Sequence, residues 1–242
     1  MCSDSIAAYD LPERVSRYDA DMETMHPKRT KMVEIGLEVL PYGANAPLAA
    51  VDLGVGTGYF TKCFLQKFPS SRVVAIDGAE SMIELARSRL GPLINRVAFV
   101  VGDFRELGRL VEHIGPIDVV FSSYALHHLN GDEKLGVIRQ AAERLRSGGW
   151  FINADLVVSG DRVIEERIQK LRVEGIVSRI QGSDPRFQDE AATRAFLDQL
   201  EANEGDRPIT LSEDLEIARR AGVERVEIFW KEYREAVYGG TK

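Results

Sequence analysis

The chain has 242 residues, 44% of them hydrophobic and 29% charged, and its formal net charge is −7 at pH 7. This composition is typical of a globular protein, and the length allows one large domain with its own core. The acidic balance argues against nucleic-acid binding that is independent of sequence, which needs a basic face. There is no apolar run of membrane-spanning length and no signal-peptide pattern, so we expect a cytoplasmic protein.

The chain contains two cysteines, Cys2 and Cys63, which are far apart in the sequence. They form no CxxC pair, and no histidine stands beside them at a spacing typical of metal ligands. We therefore expect reduced thiols and no metal site.

Residues 1–25 are polar and include Tyr9 and Tyr18. Two interpretations stay open for them: a loosely held arm, or a lid that folds across a ligand site. The next segment, 26–40, has Pro27 at its start and Pro41 after its end, with apolar residues between. This pattern predicts a helix.

Strand and helix patterns then alternate. Strands are predicted at residues 48–53, 72–77, 96–103, 117–123 and 150–158, with helices that include 79–87 and 132–145. This alternation predicts an α/β fold in which a mostly parallel, doubly wound sheet is covered by helices on both faces. Residues 26–158 would form the core of that fold.

The alternation stops after residue 158. Two helices are predicted at 162–180 and 189–201 with no strand between them, so 159–205 is interpreted as a helical insertion. The insertion is too short for an independent core. Residues 206–242 then add a helix at 210–222 and two strands at 223–230 and 234–238. The whole chain is predicted to be one domain with a seven-stranded sheet.

The turn after the first strand reads Asp52-Leu-Gly-Val-Gly-Thr-Gly58, with Gly54, Gly56 and Gly58 at alternate positions. Glycine permits positive φ angles and lets a ligand approach the backbone, and the start of the following helix favours an anionic group. The spacing differs from the G-x-G-x-x-G dinucleotide fingerprint. Asp52 precedes the turn, where it can meet an ammonium group. Asp77 ends the second strand, where a carboxylate can accept two ribose hydroxyls.

With these residues, the chain resembles the class I S-adenosylmethionine-dependent methyltransferases over residues 48–158. The resemblance implies a Rossmann-like fold and S-adenosyl-L-methionine as the cofactor. It assigns the methionine part of the cofactor to the glycine turn with Thr57, beside Asp52, and the ribose to Asp77. The other residues that it implies are those around the adenine and the methyl group: Gly78, Met82, Gly102, Asp103, Phe104 and Ser122.

Methyl transfer from a sulfonium is an in-line displacement, so the protein mainly has to position the acceptor. A general base is needed only if the acceptor must lose a proton. The candidate is His127, with His128 second, and Tyr124 is a candidate for the acceptor pocket. The family pattern at this point also includes histidines that pack near the cofactor without catalysing, so both interpretations of His127 stay open.

The motif Asn-Pro-Pro-Tyr, which the family uses to methylate nucleobase amines, is absent after the fourth strand. The layout instead resembles the small-molecule branch, with a small acceptor that can be anionic. Residues 75–82 also resemble the carboxy-S-adenosylmethionine synthase group. The insertion carries four arginines that could hold an anion: Arg172, Arg179, Arg186 and Arg194.

Several alternatives stay open at this point. A tRNA-modifying enzyme is the main alternative among substrates. A nicotinamide-dependent oxidoreductase lacks its fingerprint here, and a non-catalytic partner protein would not need an intact glycine turn. The sequence also leaves open a homodimer formed through the insertion.

Overall fold

The computed structural model describes residues 4–242, and only the backbone of Asp4 and Ser5. Cys2 lies outside the described residues, whereas Cys63 is a free, partly buried thiol. Among the helices of the described part, none is both long and apolar enough to cross a membrane.

Seven strands form one sheet in the order β3-β2-β1-β4-β5-β7-β6. The strands are β1 (Ala49–Leu53), β2 (Arg72–Asp77), β3 (Val97–Val101), β4 (Ile117–Ser123), β5 (Leu145–Leu156), β6 (Glu224–Glu232) and β7 (Glu235–Thr241). Strands β1 to β5 pair in parallel, and β7 lies antiparallel between β5 and β6. The predicted seven-stranded, mostly parallel sheet is therefore confirmed. Strand β5 begins five residues earlier than the predicted Trp150, beyond an irregularity in its pairing with β4.

Ten α-helices accompany the sheet in residues 4–242. They are α1 (Asp4–Tyr9), α2 (Pro12–Met25), α3 (Arg29–Glu38), α4 (Tyr59–Lys67), α5 (Glu80–Leu90), α6 (Leu107–Leu110), α7 (Gly131–Arg144), α8 (Arg162–Ile180), α9 (Glu190–Glu204) and α10 (Leu211–Arg220). Helix α8 has the predicted bounds of the first insertion helix, and α9 extends three residues beyond the predicted second. Helix α3 begins at Arg29, two residues after the predicted Pro27.

Within the N-terminal segment, residues 4–9 and 12–25 form helices α1 and α2. Helix α2 starts with Pro12 in its first turn and buries Tyr18, Met22 and Met25 along one face. These positions are four and three residues apart, which is the spacing of one helix face. Because only a few apolar residues of α2 are buried within a polar sequence, the periodicity of its apolar residues is too weak to predict the helix.

Two hydrophobic layers cover the sheet. One layer includes residues of α2 to α5, and the other includes residues of α6, α7 and α10. The alternation of side chains along β1 sends Ala50 into the first layer and Val51 and Leu53 into the second. A smaller cluster joins α2 to the insertion through Met25, Ile176 and Leu197 among others. The insertion therefore packs on the N-terminal helices and not as a separate unit.

A buried ion pair joins α7 to α10. Lys134 Nζ lies 2.6 Å from Asp214 Oδ1, and both side chains are almost fully buried. Burial raises the pKa of Asp214 to about 6, although the nearby ammonium of Lys134 opposes the rise. Each charge therefore depends on the other for compensation in this buried site.

We expect Asp214→Ala to lower the free energy of unfolding by about 3–5 kcal/mol, because it leaves the Lys134 ammonium buried without a partner. The double variant Lys134→Met/Asp214→Leu should recover most of this loss. Urea denaturation measures both effects, with Glu166→Ala, from the exposed Arg162–Glu166 pair, as a control that changes stability by at most about 1 kcal/mol. A loss for Asp214→Ala no larger than that of the control would contradict the prediction.

Candidate active site

A cleft lies at the carboxyl ends of β1, β2 and β4, where the strand order reverses between β1 and β4. Open parallel sheets bind ligands at such a switch point. We call it the switch-point cleft. Its lining includes residues from the glycine turn, the ends of the strands and helix α1: Ile6, Tyr9, Asp52, Gly54, Gly56, Asp77, Met82, Asp103, Phe104, Tyr124 and His128.

The glycine turn follows β1 and can be built only with small residues. Gly54, Gly56 and Gly58 all have positive φ angles, of 74°, 51° and 75°. A Cβ atom on Gly54 would overlap the Cβ of Ala125, whereas one on Gly56 would meet nothing within 4 Å. The turn therefore leaves open space above Gly56, beside the first turn of α4.

Asp77 connects the end of β2 to this turn. Its Oδ2 accepts a hydrogen bond from Gly56 N at 2.8 Å, and its Oδ1 accepts one from Ala79 N at 2.9 Å. Burial raises the pKa of Asp77, and these two amides oppose the rise. Each carboxylate oxygen can accept a further bond. Asp77 can therefore shape the turn and still accept two hydroxyl groups of a ligand.

Asp52 lies in the same cleft at the end of β1. Its Oδ2 accepts a hydrogen bond from Thr61 Oγ1 at 2.6 Å. Burial raises the pKa of Asp52 to about 7, and the Thr61 hydrogen bond only partly offsets this effect. A cation bound at Oδ1 would stabilise the charged form of this carboxylate.

The remaining walls of the cleft are mostly apolar. Met82, Phe104 and Gly78 line it. Ile6 of α1 packs closely above Gly78, because a Cβ atom on this glycine would lie 2.6 Å from Ile6 Cδ1. Asp103 also lines the cleft, but its carboxylate accepts a bond from Arg105 Nε at 2.8 Å. That guanidinium holds the pKa of Asp103 below its usual value, although burial acts in the opposite direction.

Four of the predicted cofactor residues are not part of the cleft lining. Ser122 points to the other face of the sheet and donates to Leu53 O at 2.8 Å, so its neighbour Ser123 lines the cleft instead. Thr57 donates to Asp19 at 3.0 Å. The other two support the lining from behind: Gly58 caps helix α4, and the Gly102 amide donates to Asp77 O at 2.9 Å.

Tyr124 lines the cleft, with an unusual positive φ of 50°. Its hydroxyl donates to Glu235 Oε1 at 2.7 Å, and the same oxygen lies 3.0 Å from His26 Nδ1. Burial and the Glu235 carboxylate raise the pKa of Tyr124 well above its usual value. The phenol is therefore neutral and donates a hydrogen bond.

His127, the predicted general base, does not line the switch-point cleft. Its Nδ1 lies 2.6 Å from Asp155 Oδ1, and its Nε2 lies 3.4 Å from Asp206 Oδ1. Burial alone would lower the pKa of His127, but these two carboxylates outweigh it and raise the pKa to about 10. A protonated imidazole cannot accept a proton. His128 lines the cleft in its place.

A smaller cavity, which we call the inner cavity, continues from the cleft past Tyr124. It is lined by residues of α1, α2 and the insertion, by the turn after β4 (residues 124–128, the histidine turn) and by the chain after α9. These residues include Tyr9, Tyr124, His127, Arg172 and Asp206. A third cavity, the insertion cavity, adjoins it. The two share Met25, His26, Leu156 and Arg172 in their linings. The three spaces thus follow one another from the sheet edge into the insertion.

The four arginines of the insertion differ in their partners. Arg172 donates to Glu201, Arg186 to Asp21 and Asp184, and Arg194 to Gln169 and Asp198. Arg179 donates to Thr24 O at 2.9 Å, and no carboxylate of the described chain lies within ion-pair distance of it. Arg179 and Arg172 both line the insertion cavity.

Sequence reasoning missed several residues of the site. Asp155, at the carboxyl end of β5, lies on the same sheet edge as Asp52 and Asp77, and its position was a usable signal. Ile6, Asp206 and Glu235 come from segments without a motif, and only the packing brings them to the site.

We expect Gly54→Ala to abolish ligand binding in the cleft and to lower the free energy of unfolding. The positive φ alone should cost about 1–3 kcal/mol, and the overlap with Ala125 adds to it. Chemical denaturation of Gly54→Ala, of Gly54→Ala/Ala125→Gly and of the control Gly43→Ala tests this. Gly43 has no positive φ, and a Cβ there would meet nothing within 4 Å. We expect a partial recovery in the double variant. Equal stability of Gly54→Ala and Gly43→Ala would contradict this account of the turn.

A family model described as a methyltransferase domain matches residues 50–149. An uncharacterized methyltransferase of Geobacillus sp. is 31% identical over 132 residues, which are 54% of this chain and 58% of that protein. A malonyl-[acyl-carrier protein] O-methyltransferase of Acetivibrio thermocellus is 30% identical over 149 residues, which are 62% of this chain and 48% of that protein. The chain thus spans about half the length of these relatives.

Among solved structures, the chain resembles NcsB1, an O-methyltransferase from neocarzinostatin biosynthesis in complex with S-adenosyl-L-homocysteine and 1,4-dihydroxy-2-naphthoic acid. The TM-score is 0.59 at 20% identity, and the match covers 94% of this chain and 58% of that one. At this identity the likeness concerns the fold.

Proposed function

We propose that this chain, in which residues 50–149 match a methyltransferase domain, belongs to the class I, S-adenosylmethionine-dependent family and methylates a small molecule. The observation that carries the proposal is the pair of carboxylates, Asp52 and Asp77, on either side of one glycine turn in the switch-point cleft. A nicotinamide dinucleotide has no ammonium group to match the buried carboxylate of Asp52.

The residues of the cleft fit the parts of S-adenosylmethionine. The buried carboxylate of Asp52 in the cleft suits the ammonium group, and Asp77 can accept both ribose hydroxyls. The open space above Gly56, near the start of α4, suits the carboxylate. Met82 and Phe104 offer apolar surfaces for the adenine. When bound, the cofactor supplies a methyl group that its sulfonium already activates.

The contribution of the chain is then positioning and the exclusion of water. Ile6 and Tyr9 of α1 cover the cleft from above, and Tyr124 stands between the cleft and the inner cavity. The acceptor would enter the inner cavity and present its nucleophilic atom past Tyr124. We therefore propose that α1 and α2 act as a lid and that the insertion forms the acceptor pocket.

We propose further that the acceptor carries a negative charge. Arg179 has no carboxylate partner among residues 4–242 and lines the insertion cavity with Arg172. An arginine so placed can bind a carboxylate or phosphate in a bidentate way. The malonyl-[acyl-carrier protein] O-methyltransferase that the chain resembles is named for an acceptor with a carboxylate.

The test is the release of S-adenosylhomocysteine, measured by mass spectrometry, with acceptor candidates offered as matched pairs of an acid and its neutral ester or amide. The proposal predicts S-adenosylhomocysteine and a methylated product, with the acid preferred, and a weaker preference in Arg179→Gln. A carboxylated cofactor as the product would instead indicate the synthase-like reaction. Methylation of tRNA alone would contradict a small acceptor.

A further inference from the structure

Two histidines and an aspartate converge at the boundary between the switch-point cleft and the inner cavity. His128 Nδ1 lies 3.1 Å from Asp206 Oδ1, and His127 Nε2 lies 3.4 Å from the same oxygen. The three ligand atoms all lie within 4.8 Å of one another. The residues meet because Arg207 N donates to His127 O at 2.8 Å, which holds the chain after α9 against the histidine turn.

Two of these atoms are buried at ion-pair distance but form no hydrogen bond of acceptable geometry. His128 Nδ1 and Asp206 Oδ1 are 3.1 Å apart, and neither makes a hydrogen bond within the described chain. The two side chains are only 10% and 9% exposed. Buried polar atoms in native proteins are almost always satisfied, so an unsatisfied pair points to a ligand that both atoms would share.

The second ring nitrogen of each histidine already contacts another side chain. His127 Nδ1 lies 2.6 Å from Asp155 Oδ1, and His128 Nε2 lies 3.3 Å from the hydroxyl of Tyr9. Metal-binding histidines usually donate their second ring nitrogen to a carboxylate or other acceptor, which fixes the ring and its tautomer. Asp155 is oriented in turn by Leu156 N at 2.8 Å.

From this geometry we infer that His127, His128 and Asp206 form a binding site for a divalent transition-metal cation. Ligand atoms about 2.0–2.1 Å from a tetrahedral zinc lie about 3.4 Å apart, close to the two distances measured to Asp206. Two imidazoles and one carboxylate suit zinc or ferrous iron better than magnesium or calcium, which prefer oxygen ligands.

Three protein ligands leave at least one coordination position open. His127 and Asp206 line the inner cavity, so that position faces the space where the acceptor would lie. This part rests on the proposed function: the cation would bind an oxygen atom of the acceptor, such as a carboxylate or hydroxyl, and hold it in line with the cofactor.

The cation site is tested on the full chain, stripped of metal with a chelator and dialysed at pH 8. Zn²⁺ is titrated by calorimetry, and Co²⁺ by its visible absorption, which reports ligand type and geometry. We expect one cation per chain, with affinity reduced at least about tenfold in Asp206→Asn and in His128→Gln. The matched control is His113→Gln, which changes an exposed histidine and should bind as the wild type does.

Two outcomes overturn the inference: no binding of either ion by the wild type, or binding that persists unchanged in Asp206→Asn and His128→Gln. Thermal unfolding of each variant shows that it is folded. S-adenosylhomocysteine binding is measured on the same samples. A chain that binds Zn²⁺ but no S-adenosylhomocysteine would refute the proposed function and leave the cation site standing. The opposite result would refute the cation site alone.

Discussion

Replacing Asp77 with asparagine is expected to weaken the binding of S-adenosylhomocysteine about 100-fold. Hydrogen bonds to a charged group are worth about 1.5–3 kcal/mol, and the carboxylate is placed to accept two from the ribose. Asparagine keeps one accepting oxygen but turns a donor toward the second hydroxyl or toward Gly56 N. Calorimetric titration measures the loss. Asp132→Asn, at an exposed carboxylate on α7, serves as the matched control and should bind as the wild type does.

The assignment of Asp77 to the ribose can be separated from its role in shaping the glycine turn. An analogue of the cofactor that lacks the ribose hydroxyls should bind wild type and Asp77→Asn with nearly the same affinity. The loss of affinity caused by Asp77→Asn and the loss caused by removing the ribose hydroxyls would then be strongly non-additive, as expected for groups in direct contact. Additive losses would show that Asp77 acts only through the turn and does not contact the ribose.

Asp52 should make cofactor binding depend on pH. Burial raises the pKa of its carboxyl to about 7 from an ordinary value of 3.8, so the free protein holds a proton there in mildly acidic solution. An ammonium group binds the carboxylate form, and below pH 7 binding must therefore expel that proton. We expect the affinity for S-adenosylhomocysteine to fall about tenfold for each pH unit below 7. Calorimetry in buffers of different ionisation enthalpy detects the released proton.

The raised pKa of Asp52 also predicts that a substitution at this position stabilises the protein. The folded-state pKa of Asp52 lies above the unfolded value, so its contribution to stability is present below about pH 4 and is lost as the pH rises towards 7. A shift of about three pKa units corresponds to about 4 kcal/mol, which is an upper estimate for a group this buried. Asp52→Asn should therefore raise the free energy of unfolding at pH 8 while it weakens cofactor binding and removes its pH dependence.

Thermal and urea unfolding across pH 4–8 measure this effect, with Asp132→Asn again as the control. A variant that is destabilised at pH 8, or that still binds S-adenosylhomocysteine with the pH dependence of the wild type, would contradict the account of Asp52.

The parts of the fold that the sequence predicts are those with local signals. The bounds of β2 and β4 match the predicted ranges because short β-rich runs end at polar residues, and the glycine turn is specified by residues next to one another. The N-terminal helices were not predicted because α2 buries few residues and gains its stability from packing against other parts of the chain.

The sequence predicts the site residues that belong to a local motif. It does not predict those whose place in the site depends on the orientation of a side chain or on a contact with a distant segment. Ser122 and Ser123 are neighbours on β4, and only the phase of the strand determines which one faces the cleft. The role of His127 depends on Asp206, which is 79 residues away in a loop without a motif. No local pattern can report that contact, which brings a second carboxylate to the imidazole of His127.

The measurement that tests the central claim most directly is calorimetric titration of the wild-type chain with S-adenosylmethionine and, separately, with NAD⁺. The account predicts saturable binding of S-adenosylmethionine with one site per chain, and no binding of NAD⁺. Failure to bind S-adenosylmethionine or its demethylated product, or tighter binding of NAD⁺, would contradict the assignment of the switch-point cleft as a methyl-donor site.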